Sequence, residues 1–173
     1  MSVCCDTGLP HQGPEIRQRY AQVSDAPIRH VIFTQSHADH IGGWQHFAGP
    51  GTEIIAQANF AAVRDYWTRL HAFYTSRSGR LWARDRDPRI NLAAFPPDPV
   101  PAITFTDAFG FTLGGRRFEL LSVPGGETTD PLVVWLPDEG TVFTGNLTGA
   151  AVRARAEPVH TAGRQDPERG VVH

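Results

Sequence analysis

Apolar residues are grouped into short runs separated by polar or glycine- and proline-containing breaks, and each run has the period of one element. Val3 to Asp6 reads as a strand ending in an Asp-Thr-Gly turn. Pro14 to Val23 has helical spacing, with Ile16, Tyr20 and Val23 on one side, and Pro27 ends it. Ile28 to Phe33 is the next strand, Ile41 to Phe47 a short helix stopped by Gly49-Pro50-Gly51, and Glu53 to Ala56 a short strand. Asn59 is placed to cap a helix running to about Tyr74, with Phe60, Val63, Trp67, Leu70 and Phe73 as its core-facing stripe.

The second half has a different rhythm. Ser76 to Pro101 is rich in Arg, Asp and Pro and reads as a long surface excursion of the kind that forms lids or substrate walls. Three short strands follow, Ile103 to Thr106, Phe109 to Leu113 and Arg116 to Val123, with Gly114-Gly115 as a two-residue hairpin turn. Leu132 to Leu136 and Thr141 to Thr144 make another hairpin, closed by Gly145-Asn146. From Ala151 the periodicity is lost, so the chain divides into a domain at 1–150 and an irregular tail at 151–173.

Composition narrows the class. The 173 residues suffice for one domain with a substantial core, and 40% hydrophobic with 20% charged residues is ordinary for a soluble globular chain. No run approaches the ~20 apolar residues of a spanning helix, and the N-terminus lacks the features of a secretory signal, so the cytoplasm is the expected location. A net charge of -2 without a basic stripe gives no footprint for nucleic acid, and a small-molecule substrate is expected. Cys4 and Cys5 are adjacent in a strand, point to opposite faces and therefore read as core packing.

The chemistry is concentrated in Thr34-Gln35-Ser36-His37-Ala38-Asp39-His40-Ile41-Gly42-Gly43, at a strand-to-helix turn. Two imidazoles and a carboxylate within four residues are the donors preferred by zinc or iron. Partners must come from elsewhere. Glu127, in the glycine-rich turn Pro124 to Glu127, and Asn146 both follow strands and can reach the same sheet edge. By contrast, His11, His30, His46 and His71 read as surface or hydrogen-bonded residues.

This decapeptide resembles the His-x-His-x-Asp-His signature of the metallo-β-lactamase fold superfamily, with Gln35 in place of the first His. Asp6-Thr7-Gly8 is similar to the family's strand end, Val123 to Asp130 to its second metal-binding turn, and Val142 to Asn146 to its Phe-x-Gly-Asp segment. The wording around His37, and Glu127 where His is more common, resemble the alkylsulfatase-like branch. The resemblance implies an α/β fold of αββα type, a sandwich of two mixed sheets flanked by helices, here incomplete. It also implies a metal set of Gln35, His37, Asp39, His40, Glu127 and Asn146. Gln35 and His37 match one site, Asp39 and His40 the other, and Asn146 the bridging carboxylate. One or two zinc ions are implied, with iron or manganese as substitutes.

The implied activity is hydrolysis of an ester, such as a sulfate ester, by a metal-activated water that Asp39 helps to orient. Gln35 and Asn146 are neutral amides where the family has stronger donors, so a catalytically weak or silent fragment acting at most in binding is the alternative, and a mononuclear iron enzyme a third reading. Relative to the family the chain is expected to lack strands at its start and a ligand His at its end, with a tail that reads as frameshifted and His160 as a poor substitute ligand. Sheet edges left open in this way invite pairing between copies of the chain.

Overall fold

The computed structural model describes residues 1–81 and 96–148. The tail at 151–173, His160 and the larger part of the expected surface excursion lie outside the described residues. The first half alternates strand and helix: β1 (Ser2–Cys5), α1 (Gly13–Val23), β2 (Ile28–Ile32), α2 (Ala38–Ile41), a short 3-10 turn (Trp44–His46), β3 (Glu53–Gln57), α3 (Phe60–Arg69), α4 (His71–Leu81) and β4 (Ile103–Phe105). The second half is β5 (Ala108–Leu113), β6 (Arg116–Ser122), β7 (Leu132–Leu136) and β8 (Thr141–Phe143), ending in a 3-10 turn (Gly145–Thr148).

Each half makes its own sheet. Strands β1-β2-β3-β4 pair in that order, all parallel, with Cys4 opposite Val31, Val31 opposite Ile54 and Ile55 opposite Ile103. Strands β5-β6-β7-β8 form an antiparallel meander. The expected sandwich is therefore present, but neither sheet is mixed as expected among the described residues: helical crossovers dictate parallel pairing throughout one, and tight hairpins dictate antiparallel pairing throughout the other. The Gly114-Gly115 hairpin takes φ of 60° and 80°, the left-handed pair that a two-residue turn needs.

Alternation along β2 sets the layers. Val31 and Phe33 point to a cluster with Cys4, Ile41, Ile54, Phe47 and Phe60, beneath the helices. Ile32, between them, points to the opposite cluster with Ile55, Phe118, Leu120, Leu132 and Val134, between the sheets. Cys4 and Cys5 divide in the same way: Cys4 belongs to the first cluster and Cys5 packs against the second. Burial pushes the Cys4 thiol up to about 12, which suits packing and leaves it a poor ligand at neutral pH.

Three expectations need correction. The helix after Asn59 is broken at Leu70 into α3 and α4, and Asn59 makes no side-chain cap; its Nδ2 donates instead to the carbonyl of Thr129 at 3.0 Å. The stripe is core only in part: Phe60 and Val63 are buried, whereas Phe73 is 61% exposed. Among the described residues no α-helix follows β4, so the helices described lie in the half of the chain that forms the parallel sheet. Among those residues, too, no helix is long and apolar enough to cross a membrane.

Candidate metal centre

In a parallel sheet the loops after the strand ends share one edge, and such an edge is where α/β sheets place their ligands. Three segments meet there. The turn after β1 brings Asp6, the turn after β2 brings Thr34 to His40, and the β6–β7 loop brings Glu127 and Asp130. The Leu132 N–H donates to the Thr34 carbonyl at 2.9 Å and ties that loop to β2. The turn after β8 adds Asn146 beside them, its Nδ2 donating to Glu127 Oε2 at 3.3 Å.

Asp6 is the brace. Its Oδ1 accepts the Thr34 N–H at 2.8 Å, and its Oδ2 accepts from Thr34 Oγ1 at 2.7 Å and from His40 Nδ1 at 2.7 Å. To place the carboxylate there the backbone of Asp6 adopts φ 56°, a left-handed conformation that Asp tolerates better than most residues. With Nδ1 so engaged, the ring of His40 is fixed and its Nε2 faces into the site, the arrangement of a histidine supported by a carboxylate. The backbone around it is packed tightly: Thr7 N donates to the His40 carbonyl at 2.7 Å, and a Cβ on Gly43 would lie 2.3 Å from the Thr7 carbonyl oxygen.

Gln35 stands at the centre, only 3% exposed. Its Nε2 is 3.0 Å from His40 Nε2, 3.1 Å from His37 Nδ1 and 3.4 Å from Glu127 Oε2. His37 Nδ1 is also 3.3 Å from Glu127 Oε2, and Asp39 Oδ2 is 3.7 Å from His40 Nε2. The six residues expected from the sequence are thus neighbours. Gln35 touches both His37 and His40. Among the described residues no three His, Cys, Asp or Glu side chains converge tightly enough to hold an ion as they stand.

The charges differ from residue to residue. Burial pulls the pKa of His37 down, and the nearby Asp39 and Glu127 only partly offset this. In His40 burial also pulls down, but the hydrogen bond and charge of Asp6, with Asp39 and Glu127, outweigh it and hold the imidazole above its ordinary range. Burial of Glu127 acts upward, yet hydrogen bonds from Asn146 and Gln35 and the proximity of His37 keep its carboxyl below the usual range.

Several residues of the site had little signal in sequence. Asp6 was marked only by its Asp-Thr-Gly turn. Trp67, expected in the core stripe, packs its ring perpendicular to that of His37 at 5.0 Å between centroids. Arg64 donates to the Ser36 carbonyl at 3.0 Å and pairs with Asp98 at 2.7 Å, fixing the turn from the helical side. Asp130 is 1% exposed, and among the described residues neither of its carboxylate oxygens has a hydrogen-bond partner; Ser36 Oγ is likewise buried without one among those residues.

As donors, two imidazoles and a carboxylate fit a zinc-like dication in chemistry. Their spacing around Gln35 admits one only when that amide leaves the centre.

Comparison with known proteins identifies the family of the fold. Residues 5–170 match the family model of the metallo-beta-lactamase superfamily. The linear primary-alkylsulfatase of Pseudomonas sp. (strain ATCC 19151) is 26% identical over 165 residues, covering 84% of this chain and 31% of that protein. Among solved structures, the stereoselective inverting sec-alkylsulfatase Pisa1 from Pseudomonas sp. superposes with a TM-score of 0.62 at 18% identity, over 79% of this chain and 25% of that one. A metallo-beta-lactamase from Pontibacter korlensis gives 0.57 at 22% identity, over 83% and 54%. The chain therefore spans about a third or less of the alkylsulfatases it matches. The matched span, the paired sheets and the His37-Ala38-Asp39-His40 turn at the strand ends together make this chain a member of the metallo-beta-lactamase superfamily.

Proposed function

We propose that the chain is a metal-dependent hydrolase that cleaves an ester, with a sulfate ester as the preferred class. One observation supports the reading: His40 Nε2, His37 Nδ1 and Glu127 Oε2 lie around one atom, Gln35 Nε2, at 3.0, 3.1 and 3.4 Å. His37, His40 and Glu127 would hold the ion, with Asp39 beside His40 and Asn146 as a neutral amide next to Glu127. Zinc suits these donors, and iron or manganese could replace it. A bound dication would lower the pKa of a coordinated water toward about 7 and polarise the ester oxygen.

The remaining roles belong to the protein. Asp6 holds His40 in one tautomer and orientation. The Trp67 ring limits water access to His37, and Asp39, at the open side of the site, is suited to orient the attacking water. The sulfate-ester preference rests on the alkylsulfatases among the relatives. The test is metal analysis of the purified chain with turnover of aryl and alkyl sulfate esters in added zinc or manganese. His37→Ala and His40→Ala should abolish metal retention and turnover, and His71→Ala should change neither. Equal metal content in the three variants would end the metal assignment, and metal retained without turnover would leave a binding role only.

A further inference from the structure

We infer that the side-chain amide of Gln35 is a resident plug, a neutral group that occupies the cation position and must be displaced before a metal enters. This inference rests on the metal reading above. Three atoms of metal-ligating side chains surround Gln35 Nε2: His40 Nε2 at 3.0 Å, His37 Nδ1 at 3.1 Å and the carboxylate acceptor Glu127 Oε2 at 3.4 Å. An amide NH2 has two protons, so it cannot satisfy all three fully. It is nevertheless the right end of the amide for the place, because the carbonyl oxygen would there face the Glu127 carboxylate. The partially positive NH2 thus stands in for a cation, and it keeps an otherwise electron-rich cluster together.

The distances exclude simultaneous occupancy. Zinc stands about 2.0–2.2 Å from nitrogen and oxygen ligands, inside the space that Nε2 now fills at 3.0–3.4 Å from the same atoms. Gln35 is buried to 3% exposure, so its side chain has no open solvent to swing into without rearrangement of the turn. Metal uptake is consequently an exchange: contacts to the amide are broken as bonds to the ion form. Shortening the side chain removes the competitor while leaving all three donors and the Asp6 brace in place. The loss of one hydrogen bond's worth of competition corresponds to about tenfold in affinity.

The experiment is zinc titration of the full chain against a chromophoric chelator, for the wild type, Gln35→Ala and the double variant Gln35→Ala/His40→Ala, with circular dichroism as the check of folding. The plug predicts that Gln35→Ala binds zinc at least about tenfold more tightly than the wild type, and that the double variant loses this gain. Gln35→Ala binding zinc equally or more weakly than a wild type that does bind would overturn the plug and leave the metal reading standing. No zinc binding by either single-site form would overturn the metal reading and the plug with it. A measurement on the wild type guards against a misfolded variant. The Gln35 side-chain amide protons, followed by nitrogen-15 NMR, should exchange slowly in metal-free protein and lose that protection at zinc saturation, and protection that persists at saturation would refute displacement.

Discussion

Replacing Asp6 tests whether the site is held by one carboxylate. Its three hydrogen bonds, at 2.7 to 2.8 Å, go to the N–H and hydroxyl of Thr34 and to His40 Nδ1. Thr34 is 3% and His40 6% exposed, so neither can turn to water when the acceptor is removed. Truncating one partner of a buried pair costs about 3–5 kcal/mol. The Asp6 side chain is itself 22% exposed, which places Asp6→Ala near the lower end, at about 3 kcal/mol. Alanine inherits the unfavourable φ of 56° and recovers nothing there. Asp6→Asn keeps one acceptor oxygen and should lose about half as much. Urea denaturation in chelator gives these values, and a loss below about 1 kcal/mol for Asp6→Ala would refute the brace.

The same pair has a signature in pH. His40 has a folded pKa raised above the unfolded value of about 6.5, so its contribution is fully present below about 6.5 and is lost as pH rises through the folded value. For His37 the folded pKa is lowered by burial, so its contribution is present above about 6.5 and is lost as pH falls through the folded value. In metal-free wild type the two act in different windows, His40 above about pH 6.5 and His37 below it. Asp6→Asn removes the main support of the raised His40 pKa and leaves the burial that lowers it, so above about 6.5 the variant should lack the stability that the wild type gains on acidification, and below it should lose stability more steeply. Superimposable slopes would show that Asp6 does not govern His40.

Two further outcomes follow from burial. Ile32, fully buried between the sheets, should lose about 2–5 kcal/mol as Ile32→Ala, whereas Phe73→Ala, at a 61% exposed position, should stay within about 0.5 kcal/mol; thermal or urea unfolding of both checks the layer assignment. Asp130→Asn should stabilise metal-free protein, because a charged carboxylate with no hydrogen bond among the described residues costs more to bury than a neutral amide. Destabilisation in the same urea assay would mean that the carboxylate has a partner the replacement forfeits.

What could be read from the sequence was whatever depends on local spacing. The run Ile28 to Phe33 and the turn after it were legible because strand period and ligand spacing are short-range properties. Which sheet a strand joins is not: β4 and β5 are separated by only Thr106 and Asp107, yet they belong to different sheets. The break at Leu70 carries neither Gly nor Pro to announce it. Long-range convergence was harder still. Glu127 was found because a glycine-rich turn after a strand is a recognisable context, but the three bonds made by Asp6 span 28 and 34 residues and leave no periodic trace. Gln35 shows the limit most clearly. Its place in the motif identified it as a weakened ligand, and that reading assumed that the carbonyl oxygen would face the ion. The fold sets two imidazoles and the Glu127 carboxylate around the side chain with the nitrogen end of the amide toward the carboxylate, and on the inference drawn above that nitrogen takes the position that the metal donors address. Which end of an amide faces a site is set by the charge of its neighbours, and two of those neighbours reach Gln35 from 5 and 92 residues away.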